Sequence, residues 1–509
     1  MKRSFVFHPL MLAAFPVVVL YAYNAQELPL STLIMPLVVA LGLASLLLLS
    51  TWLICRNINK AGFVVTLFLV LLLSTGYLFN LRKWLGVATP YIVGVLLFGI
   101  WALLYPYLLY LIMRTRKTLR NPTIILNVAT VAMVVVSVFT IGANEFRRSE
   151  SERDGVGSDT TVDLRVSEGQ TLPDIYYIIL DRYAGAATLA ETYGLDNSDF
   201  LDYLTGKGFY VASESSANYV RTSESLASSL NMEYINYMDE KSNDLLPMSE
   251  RIESNALQRS LRAAGYQFIN VGSWWGPTRR NDNADININY CTRTSEFDES
   301  LLTMTMPYSV SAAAGLVDDA YMRQWKRTVF EFEELAEVPS MEKPSFTFAH
   351  ILVPHVPYVF DSGGSFLPPE EANERSDRDN YVNQLIATNS MVKALVDKLL
   401  TDSEVAPIII LQADEGPYPE RYDANVRAFN WGEATDAEIQ QKFRILNAYY
   451  LPGVDSSALY PTITPVNSFR LVFDLYFGTE LGLLPDKSYA YVDYSHPYQF
   501  LDVTDKVRT

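Results

Sequence analysis

The sequence predicts five transmembrane helices followed by an α/β domain with a central, mostly parallel sheet. Two observations lead to this prediction. Long apolar runs fill the first 150 residues of the 509-residue chain, and short apolar runs alternate with helical patterns in the remainder. We therefore expect a transmembrane domain over residues 1–143, a linker over 144–172 and an extracytoplasmic domain over 173–509.

The membrane prediction depends on five apolar runs, each close to the roughly 20 residues that a spanning helix needs. Their interiors contain almost no ionisable residues, which argues against a transport pathway through them. The runs lie at residues 5–22, 29–54, 62–80, 88–113 and 122–143.

Basic residues indicate how these helices are oriented. Lys2 and Arg3 precede the first run, and four Lys and Arg residues between positions 114 and 120 follow the fourth run. Because Lys and Arg favour cytoplasmic loops, we expect the amino terminus in the cytoplasm. Five crossings would then place everything after residue 145 outside, in a multi-pass protein of the cytoplasmic membrane.

Charge distinguishes the exterior part from the membrane part. The whole chain has a formal net charge of −17 at pH 7, although its first 150 residues are net positive. The exterior part is therefore strongly acidic. Since binding a phosphate backbone needs a basic surface, this charge argues against nucleic acid as a partner.

Five short apolar runs in the exterior part predict buried strands. Each run is continuously apolar, as in a strand covered on both faces, and helical patterns lie between them, most clearly over residues 381–400. This alternation predicts a parallel sheet. The runs begin at Asp174, Tyr266, Ser345, Ala406 and Ile445.

Candidate ligand residues follow three of these runs. Asp181 ends the first, His355 closely follows "SFTFAHILV", and Asp414 and Glu415 follow "APIIILQA". Parallel sheets bind their ligands beyond the carboxyl ends of the strands. Two adjacent buried carboxylates also need a cation or a hydrogen-bond donor to compensate their charges. Polar turns after the strands are the alternative interpretation.

A candidate nucleophile lies at a predicted helix start. In "NYVRTSESLASSLNM", Thr222 precedes a helical pattern that includes Leu226 and Leu230. A threonine at this position fits an N-cap. It also fits a nucleophile, because a helix amino terminus stabilises anions and binds phosphoryl groups. Both interpretations are open at this point.

Together, these residues resemble the alkaline phosphatase superfamily, in particular its sulfatase-like and phospho-headgroup transferase branch. The resemblance covers about residues 173–480, and the preceding membrane helices are similar to the layout of lipoteichoic acid synthases and phosphoethanolamine transferases. The residues that carry it are Asp181, Thr222, His355 and the turn Asp414-Glu415-Gly416.

The resemblance implies roles for these residues. Thr222 would be both the nucleophile and a metal ligand, and His355, within "HILVPHVPYVFD", would face the substrate. The further metal ligands would be Asp181, Asp414 and Glu415. The family usually has Asp-His-Gly where this chain has Asp-Glu-Gly, so an oxygen replaces an imidazole nitrogen. We therefore expect Mn²⁺, Mg²⁺ or Ca²⁺ rather than Zn²⁺. The exterior part has only three histidines, too few for a pair of His-rich zinc sites, so we expect one divalent ion.

The implied function is metal-dependent attack on a phosphoester of a lipid headgroup or an envelope glycan, through a phospho-threonine intermediate. A non-catalytic envelope protein that keeps the fold is one alternative, which Glu415 supports. A sulfatase-type ester hydrolase is another, although Cys291 in "NYCTRTSEF" lacks the proline of a true sulfatase motif. His350 and His496 fit structural roles as well as site roles. The loop "GSWWGPTRRND" fits packing as well as contact with a glycan or an anionic headgroup.

Overall fold

Two compact units make up the computed structural model. One consists of Met1–Glu150 and Arg293–Asp319, and the other of Ser151–Thr292 and Ala320–Thr509. The structure describes residues 5–84, 90–151, 160–166, 169, 171–290, 294–341 and 344–509. Cys291 lies outside the described residues.

Helices form the described part of the first unit. The fifth of them continues to Ser151, into the residues that the sequence predicts as a linker, and the domain borders at 143 and 172 remain predictions. The helices are α1 (His8–Asn24), α2 (Ser31–Cys55), α3 (Ile58–Trp84), α4 (Pro90–Arg114), α5 (Arg120–Ser151), α12 (Glu296–Thr303) and α13 (Met306–Ala313).

Two helices in the described ranges are long and apolar enough to cross a membrane, over Ser31–Cys55 and Arg120–Phe146. Residues 85–89, where the predicted fourth span begins, lie outside the described residues. Helices therefore occupy the five predicted runs, but five membrane crossings are not confirmed. The shorter apolar helices are His8–Asn24, Ile58–Leu73 and Gly99–Arg114.

The strands of the second unit are β1 (Ile175–Leu180), β2 (Tyr210–Val211), β3 (Gln267–Gly272), β4 (Ile286–Asn289), β5 (Ser345–Ile351), β6 (Ile408–Gln412), β7 (Asn447–Tyr450), β8 (Tyr489–Tyr491) and β9 (Phe500–Asp502). In the described part of the chain, seven of them form one sheet in the order β2-β7-β6-β1-β5-β3-β4. Neighbouring pairs from β6 to β4 are parallel, whereas β7 pairs antiparallel with both β6 and β2. The pair β8 and β9 is separate and antiparallel.

The helices of the second unit are α6 (Ala186–Glu191), α7 (Ser198–Gly206), α8 (Thr222–Asn231), α9 (Leu246–Glu253), α10 (Ala256–Ala263), α11 (Gly276–Arg279), α14 (Ala320–Glu337), α15 (Pro369–Glu374), α16 (Asp377–Asp402), α17 (Glu420–Ala424), α18 (Asp436–Phe443), α19 (Pro465–Phe477) and α20 (Thr504–Arg508).

Both faces of the central strands β1, β5 and β6 are buried, which explains the continuous apolar runs. On β1, Tyr176 and Ile178 belong to one core cluster, while Tyr177 and Ile179 belong to the cluster on the opposite face. Burying each large apolar side chain contributes about 1.5–3 kcal/mol relative to exposure. This two-sided packing fixes the carboxyl ends of β1, β5 and β6 side by side.

The α/β prediction is confirmed, with differences at one edge. The five predicted strands correspond to β1, β3, β5, β6 and β7, and the helical pattern over 381–400 corresponds to α16. β7 differs from the expected parallel strand because it runs antiparallel to β6. The sequence does not predict β2 and β4, which have two and four residues and are too short to show a period.

Candidate active site

Three side chains converge where adjacent strands end. Asp181 follows β1, Asp414 follows β6, and His350 is the last residue but one of β5. β1 lies between β5 and β6, and its Ile179 is level with both His350 and Gln412. One donor atom from each of Asp181, His350 and Asp414 lies within 4.8 Å of the others.

This cluster has the donor set of a metal site. All three side chains are buried, and Asp181 Oδ1, His350 Nε2 and Asp414 Oδ2 have no hydrogen-bond partner in the described part of the chain. Burial, followed by the nearby Asp414 carboxylate, raises the pKa of Asp181 well above its usual value. A divalent cation would compensate both carboxylates and accept the imidazole lone pair, so these residues fit a metal ion.

The loop after β3 orients the His350 ring. Thr278 Oγ1 lies 2.9 Å from His350 Nδ1, and Ser273 Oγ lies 2.8 Å from Thr278 Oγ1. The Trp275 backbone N–H donates to Ser273 Oγ at 3.1 Å. Burial lowers the pKa of His350 to about 4, so the ring is neutral near pH 7. A ring that donates its Nδ1 proton to Thr278 presents the Nε2 lone pair to a metal.

Glu415 belongs to a cluster of buried charges. Its Oε1 lies 2.7 Å from Lys442 Nζ and 3.4 Å from Arg182 Nε. Burial raises the pKa of Glu415 and lowers that of Lys442, and the attraction between the two groups opposes both shifts. Glu415 Oε2 is buried without a hydrogen-bond partner in the described residues. The predicted metal role of Glu415 therefore stays a prediction, and it depends on this second oxygen.

Gly416 allows the Asp-Glu-Gly turn to approach α18 closely. Its N–H donates to the Lys442 carbonyl at 2.7 Å, and Lys442 Nζ donates to the Gly416 carbonyl at 2.8 Å. A Cβ at position 416 would meet the carbonyl oxygens of Gln441 and Lys442, the second at 2.8 Å. Any larger residue would push the turn away from Lys442.

Thr222 is half-buried and is the first residue of α8. Arg221 is the N-cap residue, and no side chain caps this helix, so Thr222 is not the N-cap that one interpretation of the sequence expects. The neighbouring hydroxyl of Ser223 donates to Glu224 Oε2 at 2.6 Å. The structure gives Ser223 a side-chain acceptor within the helix.

Two contacts fix the start of α8 near the sheet edge. Leu226 and Leu230 of α8 belong to the same core cluster as Ile179 of β1. The Tyr418 hydroxyl, in the segment after the Asp-Glu-Gly turn, donates to the Val220 carbonyl at 3.3 Å. The residues immediately before Thr222 are thereby linked to the segment that carries Asp414.

His355 lines a cavity of about 640 Å³, together with Arg182 and Tyr418. Its Nδ1–H donates to the Val356 carbonyl. Burial, with a smaller contribution from the Arg182 cation, lowers the pKa of His355 well below its usual value. The neutral ring therefore carries its proton on Nδ1 and offers Nε2 as an acceptor. Trp274 contacts this ring edge-on, with centroids 6.4 Å apart.

Residues 173–447 match the sulfatase family model, and this range includes both carboxylates of the cluster. The chain belongs to the sulfatase family. Among curated proteins, no relative matches this sulfatase-family chain.

Several solved structures are similar to this sulfatase-family chain at low identity. The C-terminal periplasmic domain of EcEptC from Escherichia coli is 13% identical with a TM-score of 0.44, over 67% of this chain and 96% of that one. The lipooligosaccharide phosphoethanolamine transferase A (EptA) from Neisseria meningitidis is 12% identical with a TM-score of 0.42, over 91% and 95%. The lipoteichoic acid synthase LtaP from Listeria monocytogenes is 14% identical with a TM-score of 0.39, over 64% and 79%. These values are too low to assign an activity.

The sulfatase-family domain brings some of the predicted site residues together. Asp181 and Asp414 meet in the cluster, whereas Glu415 contacts Lys442 and Arg182 through its first oxygen. His350 is the third member of the cluster, although its sequence context fits a structural role as well as a site role. One feature of the sequence points to a site role, because His350 is the only ionisable residue inside the apolar run "SFTFAHILV".

The sequence gives little or no indication of some other residues of the site. It does not indicate a role for Lys442, because a lysine in a helical pattern normally faces solvent. The loop with Trp274 and Trp275 contacts His355 and His350. His496 is instead half-exposed and pairs with Asp493 at 2.9 Å, which suits a structural role.

Proposed function

We propose that this chain is a membrane-anchored, metal-dependent enzyme that transfers or hydrolyses a phosphoester through a phospho-threonine intermediate at Thr222. The observation that carries the proposal is the buried cluster of Asp181, His350 and Asp414. One donor atom from each residue lies within 4.8 Å of the others, and each residue has a polar atom without a partner in the described residues. Membership of the sulfatase family supports ester chemistry at this site.

Thr222 is the proposed nucleophile. Its oxygen forms a bond to phosphorus while the bond between phosphorus and the leaving oxygen breaks. The threonine proton passes to solvent, and the leaving oxygen takes up a proton from solvent and departs as a hydroxyl. Water or a sugar hydroxyl then attacks phosphorus and releases its proton to solvent. The bond between phosphorus and the Thr222 oxygen breaks, and that oxygen takes up a proton, which restores the hydroxyl. The first backbone N–H groups of α8 would stabilise the phosphoryl oxygens during both steps.

His355 is the proposed partner of the incoming hydroxyl. Its Nδ1–H is used by the Val356 carbonyl, so Nε2 can accept a hydrogen bond from water or a sugar. Because its pKa is lowered, the ring stays neutral in the pH range where the enzyme would work. This role supports orientation of the acceptor rather than protonation of a leaving group.

Asp181, His350 and Asp414 would hold the metal, with Thr222 and Glu415 Oε2 as further proposed ligands. A bound divalent ion would stabilise negative charge on the phosphoryl group and favour the ionised Thr222 hydroxyl. The expected preference for Mn²⁺, Mg²⁺ or Ca²⁺ over Zn²⁺ assumes an all-oxygen donor set. His350 adds an imidazole nitrogen, which also suits Zn²⁺. We therefore propose one divalent ion and compare Mn²⁺ with Zn²⁺ first.

The proposed substrate is a lipid headgroup or an envelope glycan outside the cytoplasmic membrane. Two candidate spans and the distribution of Lys and Arg support this placement. Reporter fusions after Gly142 and within residues 114–120 should report opposite sides of the membrane. The same side for both would contradict the extracytoplasmic placement.

Metal analysis and mass spectrometry test the enzyme proposal directly. The purified full chain should contain stoichiometric metal, and after incubation with membrane lipids it should carry a phosphoryl or phospho-headgroup adduct on Thr222. A chain that binds lipid or glycan but no metal, and forms no adduct, would instead support the non-catalytic alternative.

A further inference from the structure

Arg182, directly after Asp181, has a backbone conformation that side chains rarely adopt. Its φ is +62°, in the left-handed region, which is costly for a residue with a Cβ. Such conformations occur mainly where the surrounding structure enforces them, and they cluster at functional sites. An interaction made by Arg182 must therefore offset the free-energy cost of this conformation.

The left-handed turn connects Arg182 to both sides of the site. Its backbone N–H donates to Asp414 Oδ1 at 3.2 Å, and its carbonyl accepts from the Tyr381 hydroxyl at 2.8 Å. The guanidinium lies over the Tyr418 ring, 4.5 Å from its centroid, and lines the 640 Å³ cavity that His355 also lines. The turn therefore begins beside the metal cluster and directs the Arg182 guanidinium into the cavity.

Arg182 is the more distant of the two cations that contact Glu415. Two cations, Arg182 and Lys442, share the single carboxylate of Glu415. Lys442 is the closer, at 2.7 Å against 3.4 Å, and its side chain is completely buried, whereas the Arg182 side chain is 21% exposed. Arg182 Nε is also buried without a hydrogen-bond acceptor among the described residues. Lys442 is therefore the main partner of Glu415, and Arg182 is the cation of the two that reaches the cavity and can meet a further anion.

We propose that Arg182 binds the negatively charged oxygens of the substrate's phosphoryl group, and so fixes an anionic phosphoester beside the metal cluster. This inference rests on the proposed function. A guanidinium suits the task because its N–H groups can donate to two phosphoryl oxygens at once. The exposed carboxylates of Asp377, Glu420 and Asp423 line the same cavity, but solvent screens them more than the half-buried Arg182.

The competing interpretation is that Arg182 only compensates Glu415 and supports Asp414. Arg182→Gln separates the two, because it leaves the Glu415–Lys442 pair intact and glutamine meets the same backbone cost at φ +62°. Arg182→Lys keeps the positive charge but loses the paired N–H donors that can bind two phosphoryl oxygens. Arg378→Gln is the matched control, since Arg378 lines the same cavity but is exposed and donates its Nε–H to the Tyr193 carbonyl at 3.1 Å.

The experiment measures binding of inorganic phosphate to the metal-loaded full chain by calorimetry, alongside metal affinity. Arg182→Gln should weaken phosphate binding by about 10-fold or more, with Arg182→Lys intermediate and Arg378→Gln within about 2-fold of wild type. Metal affinity should stay within about 2-fold in all three variants. Wild-type phosphate affinity in Arg182→Gln would overturn the inference.

Other outcomes separate this inference from the proposed function. Equal losses in Arg182→Gln and Arg378→Gln would show a general charge effect and overturn the specific role of Arg182. Loss of metal in Arg182→Gln would overturn the inference, because it would show that the Arg182 side chain supports the metal site rather than the substrate. A metal-loaded wild type that forms the Thr222 adduct but binds no phosphate would overturn only the inference, whereas a wild type that does neither would overturn both.

Discussion

Lys442 Nζ lies 2.7 Å from Glu415 Oε1, and neither side chain reaches solvent. This contact explains how two adjacent carboxylates can be buried at the end of β6. Glu415 is compensated by a lysine from α18, while Asp414 turns to the cluster with Asp181 and His350. Glu415 thus has a buried cation of its own, whatever its second oxygen binds, while Asp414 faces the cluster.

We expect Lys442→Met to destabilise the protein strongly. Removing one partner of a buried ion pair leaves the other charge uncompensated, at a cost of about 3–5 kcal/mol. The double variant Lys442→Met with Glu415→Gln should recover much of this loss. Thermal unfolding of the full chain, followed by tryptophan fluorescence, measures both.

Lys398→Met is the matched control for this prediction. Lys398 pairs with Asp402 at 2.6 Å, but both side chains are largely exposed, so the unfolding temperature should hardly change. Equal effects of the two lysine substitutions would show that the buried Glu415–Lys442 pair contributes no more to stability than an exposed pair does.

Thr278→Val should weaken metal binding without removing any metal ligand. The valine cannot accept the Nδ1 proton of His350, so the ring loses the contact that orients Nε2 toward the cluster. Loss of such an orienting bond typically costs about 10–100-fold in metal affinity. Thr278→Ser keeps the hydroxyl and should bind metal nearly as well as wild type. If valine and serine behave alike in a metal titration, the hydroxyl does not position the ring.

Local patterns were sufficient to predict the strands that carry Asp181 and Asp414. β1 and β6 are buried on both faces, so their sequences are continuously apolar, and the polar residues after them mark the strand ends. Neighbouring parallel strands place such ends at one edge of the sheet. The general position of the site follows from these facts alone.

The identity of the third cluster residue could not be predicted in the same way. His350 joins Asp181 because β5 pairs with β1, and the order of strands in a sheet is a long-range property. The partner of Glu415 is equally non-local, since Lys442 lies on α18, which approaches the turn closely at Gly416. Composition and periodicity contain neither fact.

Asp181→Asn should stabilise the metal-free protein. It should also abolish the increase in the free energy of unfolding that metal binding gives the wild type. Without a cation, Asp181 and Asp414 are buried carboxylates that repel each other, and asparagine removes one of the charges. Wild type should gain about 2.7 kcal/mol when the free metal is 100 times its Kd, and the variant should gain little. Unfolding temperatures in chelator and in metal measure both effects.

Asp493→Asn is the control for this pair of measurements. Asp493 is a half-buried carboxylate that pairs with His496 outside the cluster, so its substitution should leave the metal-dependent shift unchanged. A metal-free Asp181→Asn protein that is less stable than wild type would contradict the proposed repulsion at the cluster.

Thr222→Ala should abolish turnover and leave the fold intact. In the proposed reaction the Thr222 oxygen forms the covalent intermediate, and binding by the rest of the site cannot replace a missing nucleophile. Loss of an N-cap would cost about 1 kcal/mol of stability. Since Arg221 is the N-cap residue and no side chain caps α8, we expect no such loss here. Adduct formation and thermal unfolding of the same preparation test the two parts together.

Two further variants decide which hydroxyl reacts. Thr222→Ser retains an oxygen at the start of α8 and should keep measurable turnover. Ser223 is the rival, but its hydroxyl donates to Glu224 and its position on the helix is rotated by about 100° from Thr222, so Ser223→Ala should remain active. An inactive Ser223→Ala beside a fully active Thr222→Ala would move the nucleophile by one residue. Activity in both alanine variants would mean that the reaction forms no covalent intermediate at either hydroxyl, and the proposed mechanism would then be wrong even if the metal cluster binds its ion.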